Sequence, residues 1–322
     1  MAALVAGSDA PLIVLVGATA SGKTALSLRL AEEFGGEIVS CDSVAVYRGM
    51  EIGTAKPSVE ERSMVPHHMI DVAWPDEACT AGDFSRMARE SLAGIVERGH
   101  VPIVAGGTGL YLRALIDGLF PAPPQQKGLR ERLRKTAEVR GAEYLHRILK
   151  RLDSMAAEKI HANDVSKVVR AIEVSLAARE PLTEQWQKGR DALTGFRILR
   201  LGLNPERKRL YERINARAAA MFDRGLVEET ERLVERYNYD CRPLSSLGYA
   251  EAVAVLRGEM TRDEAVLAAK QGHRNYAKRQ GTWFRREPDI HWLAGCGEDE
   301  TVWDEARGVV KRHLKQNVPR GT

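Results

Sequence analysis

The chain has 322 residues, of which 48 are Lys or Arg and 44 are Asp or Glu, giving a formal net charge of +4. Hydrophobic residues make up 44% and charged residues 29%, which are the proportions of an ordinary globular protein with a core. Because no run approaches the roughly 20 apolar residues of a membrane span, the sequence excludes a helical membrane protein.

Strand-like and helix-like segments alternate over the first 120 residues. The apolar run Leu12–Val16 predicts a buried strand, and a Gly-rich turn separates it from a helical pattern over Lys23–Phe34. Glu37–Ser40 predicts a second strand, Thr80–Arg98 an amphipathic helix, and Val101–Ala105 a third strand. This alternation predicts an α/β fold whose parallel sheet is flanked by helices, with ligands at the carboxyl ends of the strands.

A Pro-rich segment, Pro121–Pro124, interrupts this alternation. The following stretch, Leu129–Arg179, is rich in Leu, Ala, Glu, Arg and Lys and predicts about three helices without a strand. We therefore expect an all-helical insertion domain over 121–195. The catalytic core would comprise 1–120 and 196–322.

The last third of the chain returns to the sheet and then becomes helical. Phe196–Leu201 predicts a strand, Glu206–Asp223 a helix, and the helical pattern continues to about Phe284. Ile290–Leu293 predicts a last strand, and the basic end, Lys311–Thr322, is expected to fray.

A phosphate-binding motif follows the first predicted strand and opens the first predicted helix. It fits GxxxxGK[ST] at every fixed position, with Gly17, Ala18, Thr19, Ala20, Ser21, Gly22, Lys23 and Thr24. Glycines let backbone N–H groups turn towards an anion, and the helix N-terminus adds partial positive charge. Lys23 can then reach the outer phosphate oxygens, and the Thr24 hydroxyl can bind Mg²⁺. The same motif serves nucleoside triphosphatases, small-molecule kinases and transferases that release diphosphate.

An acidic residue, Asp42, follows the second predicted strand and should lie at the same sheet edge. It could accept a proton or a hydrogen bond from a nucleophile, bind Mg²⁺ through water, or cap the following turn. The pair His67-His68 lacks a third ligand at a suitable spacing, so a structural role is favoured over a metal site.

Glycines follow the third predicted strand where many nucleoside triphosphatases carry an acid. The segment Gly106–Tyr111 lacks a carboxylate that could hold metal and position water, which argues against a hydrolytic motor or switch. Its glycines could admit a bulky ligand close to the backbone, with the Thr108 hydroxyl touching it. The alternative is a turn that caps the next helix.

An ordered set of motifs spans about residues 12–293. Its members are Gly17–Thr24, Asp42–Tyr47, Ile52–Pro57, Pro66–Asp71, Gly106–Tyr111, His161–Asp164, Arg170–Glu173, Leu247–Tyr249 and Tyr276–Arg285. Together they resemble the tRNA dimethylallyltransferases, also called isopentenyl-diphosphate:tRNA transferases. The chain lacks the zinc finger of eukaryotic members, so it is similar to the bacterial type.

The resemblance implies transfer of a dimethylallyl group from its diphosphate to N6 of adenine 37, beside the anticodon of tRNA. Asp42, Thr108 and Lys23 would be the catalytic residues, with Asp42 accepting a hydrogen bond or proton from N6. Diphosphate would be held by Gly17–Thr24, by Mg²⁺ on Thr24 and by Arg217, with Arg224 as a second candidate.

The resemblance also implies which residues contact the anticodon stem-loop of tRNA. They are Asp42, Ser43, Val44, Ala45, Thr108, Ser166, Lys167, Arg170, Gly248, Tyr249, Lys278, Arg279 and Gln280. Ala45 stands where the family usually carries a glutamine that would touch the target nucleotide. Two basic regions support a polyanionic partner: 270–286 has six basic and no acidic residues, and 125–190 has 15 basic against 9 acidic residues.

Two alternatives remain open at this point. A P-loop small-molecule kinase shares the phosphate motif and an acid after the second strand, although such kinases usually lack a long basic helical insertion. A non-catalytic RNA-binding protein could keep a vestigial nucleotide fold. The four cysteines, scattered without a CxxC pair, indicate reduced thiols, and we expect a cytoplasmic monomer without a secretory signal or membrane contact.

Overall fold

The structure, a computed structural model, describes residues 9–316 with the exception of Pro121, Pro124 and Lys188. Its contacts divide the chain into two compact units. The first comprises Met1–Ile116 and Leu193–Thr322, and the second comprises Asp117–Ala192. The predicted insertion, 121–195, starts four residues after the second unit and ends three residues after it.

A six-stranded sheet forms the centre of the first unit. Its strands are β1 (Ala10–Gly17), β2 (Gly36–Cys41), β3 (His67–His68), β4 (Val101–Gly106), β5 (Phe196–Leu203) and β6 (Ile290–Leu293). Every pair is parallel, in the order β3-β2-β4-β1-β5-β6. The predicted α/β class with a parallel sheet is therefore confirmed. The two-residue strand β3 was not predicted, because two histidines carry no strand pattern.

Helices cover both faces of this sheet. In chain order the helices are α1 (Lys23–Phe34), α2 (Val59–Met64), α3 (Ala81–Glu97), α4 (Gly109–Ile116), α5 (Lys127–Arg140), α6 (Ala142–Leu152), α7 (Ser154–Lys159), α8 (Val165–Ala178), α9 (Leu182–Gln187), α10 (Arg207–Asp223), α11 (Leu226–Tyr237), α12 (Tyr249–Leu256), α13 (Arg262–Phe284) and α14 (Glu300–Lys315). The four central β1 residues, from Leu12 to Leu15, are fully buried, and they divide between two core clusters. A parallel strand that is covered on both faces has a continuous run of apolar residues. This run made β1 predictable from the sequence.

The second unit contains five described helices, α5–α9, rather than the predicted three. Two short breaks explain the difference. Gly141, with a positive φ of 83°, separates α5 from α6, and Asp153 caps α7 by accepting a 2.9 Å hydrogen bond from the Ala156 N–H. These breaks lie inside a continuous apolar pattern, whose buried residues Leu145, Leu149 and Ile172 form a single core.

The predicted fraying of Lys311–Thr322 is wrong for its first part. Residues as far as Lys315 continue α14, whose buried face includes Val302, Ala306 and Val310. Residues 317–322 lie outside the described part of the chain. Within the described residues, no helix combines the length and the apolar character needed to cross a membrane.

Candidate active site at the carboxyl edge of the sheet

A large cavity of the first unit, here called the main cavity, lies where β1, β2 and β4 end and has a volume of about 860 Å³. Its lining includes Thr19, Lys23, Asp42, Arg217 and Tyr276. Carboxyl ends of parallel strands share one edge, so the loops after β1 and β2 are brought together here. The phosphate motif and the acid, 19 residues apart from Lys23 to Asp42 in sequence, thus face one space.

The phosphate motif forms a tight turn, here called the cradle (Gly17–Thr24). Gly22 has φ 91°, and α1 starts directly after it, as predicted. The Lys23 ammonium donates hydrogen bonds to the carbonyls of Gly17 at 3.0 Å and Ala18 at 2.8 Å. Five of the eight cradle residues line the main cavity: Thr19, Ala20, Gly22, Lys23 and Thr24. Ser21 is buried, and Gly17 and Ala18 line a different pocket.

The charges in the main cavity interact strongly. Burial, followed by the neighbouring Arg217 guanidinium, lowers the pKa of Lys23 to about 8, while Asp42 acts in the opposite direction. Burial also lowers the pKa of Arg217, again opposed by Asp42. Two cations and one carboxylate therefore share a poorly hydrated space. Its positive excess suits an anion.

The two arginine candidates on α10 differ in location. Arg217 lines the main cavity and donates a long hydrogen bond of 3.4 Å to the Thr54 carbonyl. Arg224 is exposed at the C-terminal cap of α10 and does not line the cavity. Arg217 is thus the arginine that can reach a ligand beside Lys23.

Asp42 is held by the backbone that follows it. Its Oδ1 accepts hydrogen bonds from the N–H groups of Val44 at 2.8 Å and Ala45 at 3.1 Å. Its Oδ2 has no hydrogen-bond partner among the described residues. The sequence left open whether Asp42 caps the turn or interacts with a nucleophile. Both roles are compatible, because each can use a different oxygen of the carboxylate. Ala45 is 5% exposed, and it lines the main cavity beside this turn.

The structure corrects the expectation that Thr108 touches a ligand. Thr108 does not line the main cavity, and its hydroxyl oxygen instead accepts a 3.1 Å hydrogen bond from the Ser43 N–H. It also lies within hydrogen-bonding reach of the Tyr276 phenol. Thr108 links the loop after β4 to the loop after β2, and so supports the position of Asp42.

The glycines after β4 allow close packing within the protein, and Gly106 and Gly107 also line the main cavity. A Cβ on Gly106 would lie 2.1 Å from the Cys41 carbonyl oxygen, and one on Gly107 would lie 2.2 Å from the Gln280 amide nitrogen. A Cβ on Gly109 would lie 2.2 Å from the Trp283 indole nitrogen. At Gly106 the neighbour is backbone, so a side chain there would require a backbone shift, whereas a side chain on Gly107 or Gly109 would displace Gln280 or Trp283.

Gln280, predicted to contact tRNA, is 6% exposed and uses its amide inside the protein. Its Oε1 accepts a 2.8 Å hydrogen bond from the Thr19 N–H, and its Nε2 donates a 2.9 Å hydrogen bond to the Gly107 carbonyl. Gln280 therefore ties the cradle to the loop after β4. This supporting role was missed because it joins residues 261 positions apart.

The structure also corrects the predictions for Gly248 and Tyr249. Both are buried, and Tyr249 is fully so. The Tyr249 hydroxyl donates a 2.6 Å hydrogen bond to Glu229 and accepts one of 3.2 Å from the Gly53 N–H. Tyr249 thus supports a loop of the cavity wall and has no surface for RNA.

The remaining predicted tRNA contacts of the first unit divide between two places. Ser43, Val44, Ala45 and Arg279 line the main cavity. Lys278 is exposed but lines a separate pocket together with Gly17. Adjacent residues on α13 therefore serve different faces of the helix.

In the second unit, the three predicted tRNA contacts lie on the first turns of α8. Ser166 and Lys167 are exposed, and Lys167 forms an ion pair with Asp164. Arg170 donates a 2.8 Å hydrogen bond to the fully buried Glu173. That ion pair gives the Arg170–Glu173 motif a structural function, and leaves Ser166 and Lys167 as its accessible polar groups.

Four further residues of the main cavity had no predicted role. His273 and Tyr276 are on the same face of α13 as Gln280; burial lowers the pKa of His273 to about 4 and raises the pKa of Tyr276 to about 12. Arg213 donates hydrogen bonds to the Ala20 carbonyl at 2.8 Å and to Glu298 at 2.6 Å. Arg213 stands one helical turn from Arg217, and Tyr276 stands one helical turn from Gln280. This spacing was the sequence signal that could have identified Arg213 and Tyr276 as site residues. No local pattern indicates Glu298.

The two histidines of β3 are used structurally. His68 Nε2 lies 2.6 Å from Glu37, and His67 Nδ1 donates a 2.8 Å hydrogen bond to the Val65 carbonyl. Their partners are therefore protein groups in the sheet and in the preceding loop.

A parallel sheet with this cradle and an opposing carboxylate defines a P-loop transferase or kinase. Comparison with known proteins decides between them. Residues 45–287 match the family model described as IPP transferase. A tRNA dimethylallyltransferase of Koribacter versatilis is 61% identical over 304 residues, covering 94% of this chain and 99% of the relative. The chain therefore belongs to the IPP transferase family, the tRNA dimethylallyltransferases.

Solved structures agree with this assignment. The tRNA isopentenylpyrophosphate transferase of Bacillus halodurans is 36% identical with a TM-score of 0.69, covering 95% of this chain and 97% of that one. A eukaryotic dimethylallyltransferase acting on tRNA is 26% identical with a TM-score of 0.81, covering 96% of this chain and 80% of that one.

Proposed function

We propose that the protein transfers the dimethylallyl group of dimethylallyl diphosphate to N6 of adenine 37 in tRNA and releases diphosphate. In this reaction the C1–O bond to diphosphate breaks, a bond forms between C1 and N6, and N6 loses a proton. The observation that carries the proposal is the meeting of Lys23, Arg217 and Asp42 in the main cavity of a chain from this family.

The cationic side of the main cavity suits the diphosphate. The lone pair of N6 is delocalised into the adenine ring, so the nucleophile is weak and departure of diphosphate needs strong stabilisation. Lys23 would give up its bonds to the Gly17 and Ala18 carbonyls and donate to phosphate oxygens, with Arg217 beside it. Fixed charges in a poorly hydrated site stabilise developing negative charge more strongly than water does.

The carboxylate side suits the adenine. Because the two N–H groups of Val44 and Ala45 fix Oδ1, Asp42 can present Oδ2 to the N6 amino group without losing its cap. A carboxylate in this position accepts a hydrogen bond from N6 and then its proton as the C–N bond forms. Thr108 acts indirectly, by holding the Ser43 N–H.

We propose that Mg²⁺ accompanies the diphosphate and is held by the Thr24 hydroxyl. Among the described residues, no three His, Cys, Asp or Glu side chains form a metal cluster, so the protein offers no complete cage. Mg²⁺ commonly retains waters and takes substrate phosphate oxygens as ligands, which a single hydroxyl in the cradle fits. The ion would neutralise charge on the departing diphosphate.

The proposed tRNA contacts are the accessible members of the predicted set. In the first unit these are Asp42, Ser43 and Val44 of the turn after β2, together with Lys278 and Arg279, while the buried Ala45 contributes only to the cavity wall. In the second unit they are Ser166 and Lys167, with Arg170 supporting α8. The four cysteines are free and buried, in keeping with a cytoplasmic location.

The test is mass analysis of nucleosides from an unmodified tRNA transcript incubated with the protein, Mg²⁺ and dimethylallyl diphosphate. We expect an adenosine heavier by one dimethylallyl group at position 37, together with free diphosphate. ATP in place of the prenyl donor should give no product. Consumption of ATP without prenylated adenosine would instead support a kinase.

A further inference from the structure

A second pocket, here called the rear pocket, lies on the opposite face of α13 from the main cavity. It has a volume of about 480 Å³, which is within the usual range for small-ligand sites. Its walls come from the start of the cradle at Gly17 and Ala18, the segment from Leu203 to Tyr211, α13 and Trp292 of β6. It lies at the carboxyl ends of β1 and β5, the same sheet edge as the main cavity.

The charged residues of the rear pocket are mainly cationic and unpaired. Arg207, Lys278 and Arg285 are exposed and lack an ion-pair partner among the described residues, whereas Glu206 is the single acid in the lining. Basic residues elsewhere in this unit are commonly paired, as Arg209 is with Asp299 at 2.7 Å. An unpaired cationic cluster around a concave surface attracts an anion.

The rear pocket also offers aromatic surface. Tyr211 is partly exposed, with the Arg207 guanidinium 5.1 Å from its ring centroid, and Trp292 is 37% exposed. Aromatic rings beside cations are what an unstacked nucleotide needs, because its base stacks on the ring while its phosphate contacts the cation.

We propose that the rear pocket binds one nucleotide of the substrate tRNA other than the adenine that is modified. The proposal rests on the proposed function, since it takes the RNA as substrate. Tyr276 and Arg279 face the main cavity while Lys278 and Arg285 face the rear pocket, so α13 separates two binding sites for one RNA strand. The base would stack on Tyr211 or Trp292, and an adjacent phosphate would contact Lys278 and Arg285.

Two variants test the site. Arg285→Ala removes one cation, with Arg286→Ala as the matched control, because Arg286 is also exposed but does not line the rear pocket. Tyr211→Leu keeps the apolar contact and removes the stacking ring. The measurement is the Kd of an unmodified anticodon stem-loop transcript at several salt concentrations, with single-turnover prenyl transfer at saturating RNA.

For Arg285→Ala we expect weaker RNA binding and a logarithmic salt slope reduced by about 0.7, the value for one lost phosphate contact on a single strand. For Tyr211→Leu we expect a Kd roughly 5- to 100-fold higher, as for one lost base–aromatic stack. Transfer at saturating RNA and the affinity for dimethylallyl diphosphate should remain at wild-type values. Photo-crosslinking of a 4-thiouridine transcript should attach RNA to the segment that contains Tyr211 or Trp292.

The remaining outcomes overturn the proposal. An equal effect of Arg286→Ala would mean general charge attraction only, and unchanged RNA affinity in both test variants would mean that no nucleotide enters the rear pocket. Failure of the proposed function has a different signature. In that case the wild-type protein would bind the stem-loop, with Arg285 and Tyr211 contributing, but would not prenylate it.

Discussion

Asp42 illustrates how one side chain meets two requirements. One oxygen is used by the turn that follows β2, and the other is free for a substrate. A freely rotating carboxylate would have to be ordered at each turnover, whereas this one is held before substrate arrives. Geometric preorganisation of this kind is a main source of catalytic effect.

Asp42→Asn is the sharpest test of that role. The asparagine side chain keeps an oxygen that can accept from the Val44 and Ala45 N–H groups, so the turn and the thermal midpoint should be preserved. Loss of the negative charge should slow single-turnover prenyl transfer by about 10²- to 10⁴-fold, the usual contribution of a general base. The affinity for tRNA should change little. Transfer at the wild-type rate would remove Asp42 from the reaction.

Lys23 predicts a dependence of donor binding on pH. Its pKa of about 8 in the free protein means that its charge is lost as the pH rises through that value. A bound diphosphate favours the protonated ammonium, so affinity should be full below about pH 8 and should fall above it. The KM for dimethylallyl diphosphate should therefore rise on the alkaline side.

The control for this prediction is Lys23→Ala. That variant should bind the donor weakly at every pH and show a flat profile over the same range. An alkaline rise in KM that persists in Lys23→Ala would assign the titration to another group.

Sequence reasoning located the cradle and Asp42 because both depend on local patterns after predicted strands. It did not reveal that Thr108 supports Ser43, nor that Gln280 and Tyr249 are internal supports. A motif indicates that a residue type matters, but a polar side chain that holds a loop and one that binds a ligand leave the same sequence pattern. The two kinds of side chain differ in whether they are buried, and burial can be determined only from the folded structure.

At the level of whole elements, α13 is the central component of the site. It passes between the main cavity and the rear pocket, and its residues alternate between them according to the helical period. The sequence signal that pointed to this helix was its acid-free basic stretch, whose contact with tRNA stays a prediction. The division of its residues between two faces could not be assigned, because the helix phase relative to the sheet depends on packing of Ala277 and Phe284 in the core.

Gln280→Ala tests whether this helix positions the cradle. Removing the amide leaves the Thr19 N–H and the Gly107 carbonyl without their partner, which should cost about 1–3 kcal/mol of folding free energy. We expect the KM for dimethylallyl diphosphate to rise by about 10-fold, whereas the Kd for tRNA stays unchanged. The matched control is Gln271→Ala, because Gln271 is exposed on the same helix.

The opposite result is informative as well. A large loss of tRNA affinity with an unchanged donor KM would restore the role of direct RNA contact that the family resemblance implied for Gln280. Gln280→Glu should be more damaging than Gln280→Ala, since a carboxylate would face the Gly107 carbonyl oxygen and the diphosphate.

At the scale of the whole molecule, the buried carboxylate of Glu37 connects several elements at the edge of the sheet that is remote from the site. Glu37 of β2 forms hydrogen bonds with Arg98 at 2.7 and 2.9 Å, with His68 at 2.6 Å and with His100 at 2.6 Å. Its side chain is 3% exposed. The three partners come from β3 and from the connection between α3 and β4, so a single anion joins three parts of the fold, counting β2 itself.

This cluster predicts how stability depends on pH. The Arg98 guanidinium and, to a smaller extent, the two histidines hold the pKa of Glu37 at about 2, below its ordinary value. The stabilisation is present above the unfolded-state pKa and is lost as the pH falls through the folded-state value. We expect Glu37→Gln to lower the free energy of unfolding by about 3 kcal/mol at pH 7, and by less at pH 3. Denaturant unfolding measures both, with exposed Glu32→Gln as the control.

The overall architecture was largely accessible from sequence. All five predicted strands exist, since strands buried on both faces and separated by helices leave a clear pattern. The helical unit was found, but its division into five helices depends on a cap at Asp153 and a positive φ at Gly141. Each of these breaks is determined by a single residue, and the helical pattern averaged over the whole segment does not reveal it.

The packing of Gly297 against Gly22 has a consequence for how the protein is made. The Gly297 N–H donates a 2.9 Å hydrogen bond to the Ser21 carbonyl, and a Cβ on Gly22 would lie 2.5 Å from the Gly297 nitrogen. During translation, residues 17–24 leave the ribosome long before residues 297 and 298 are synthesised. A nascent chain therefore lacks the support of Gly297 for its cradle until that residue has been synthesised, and donor binding should begin only after that point.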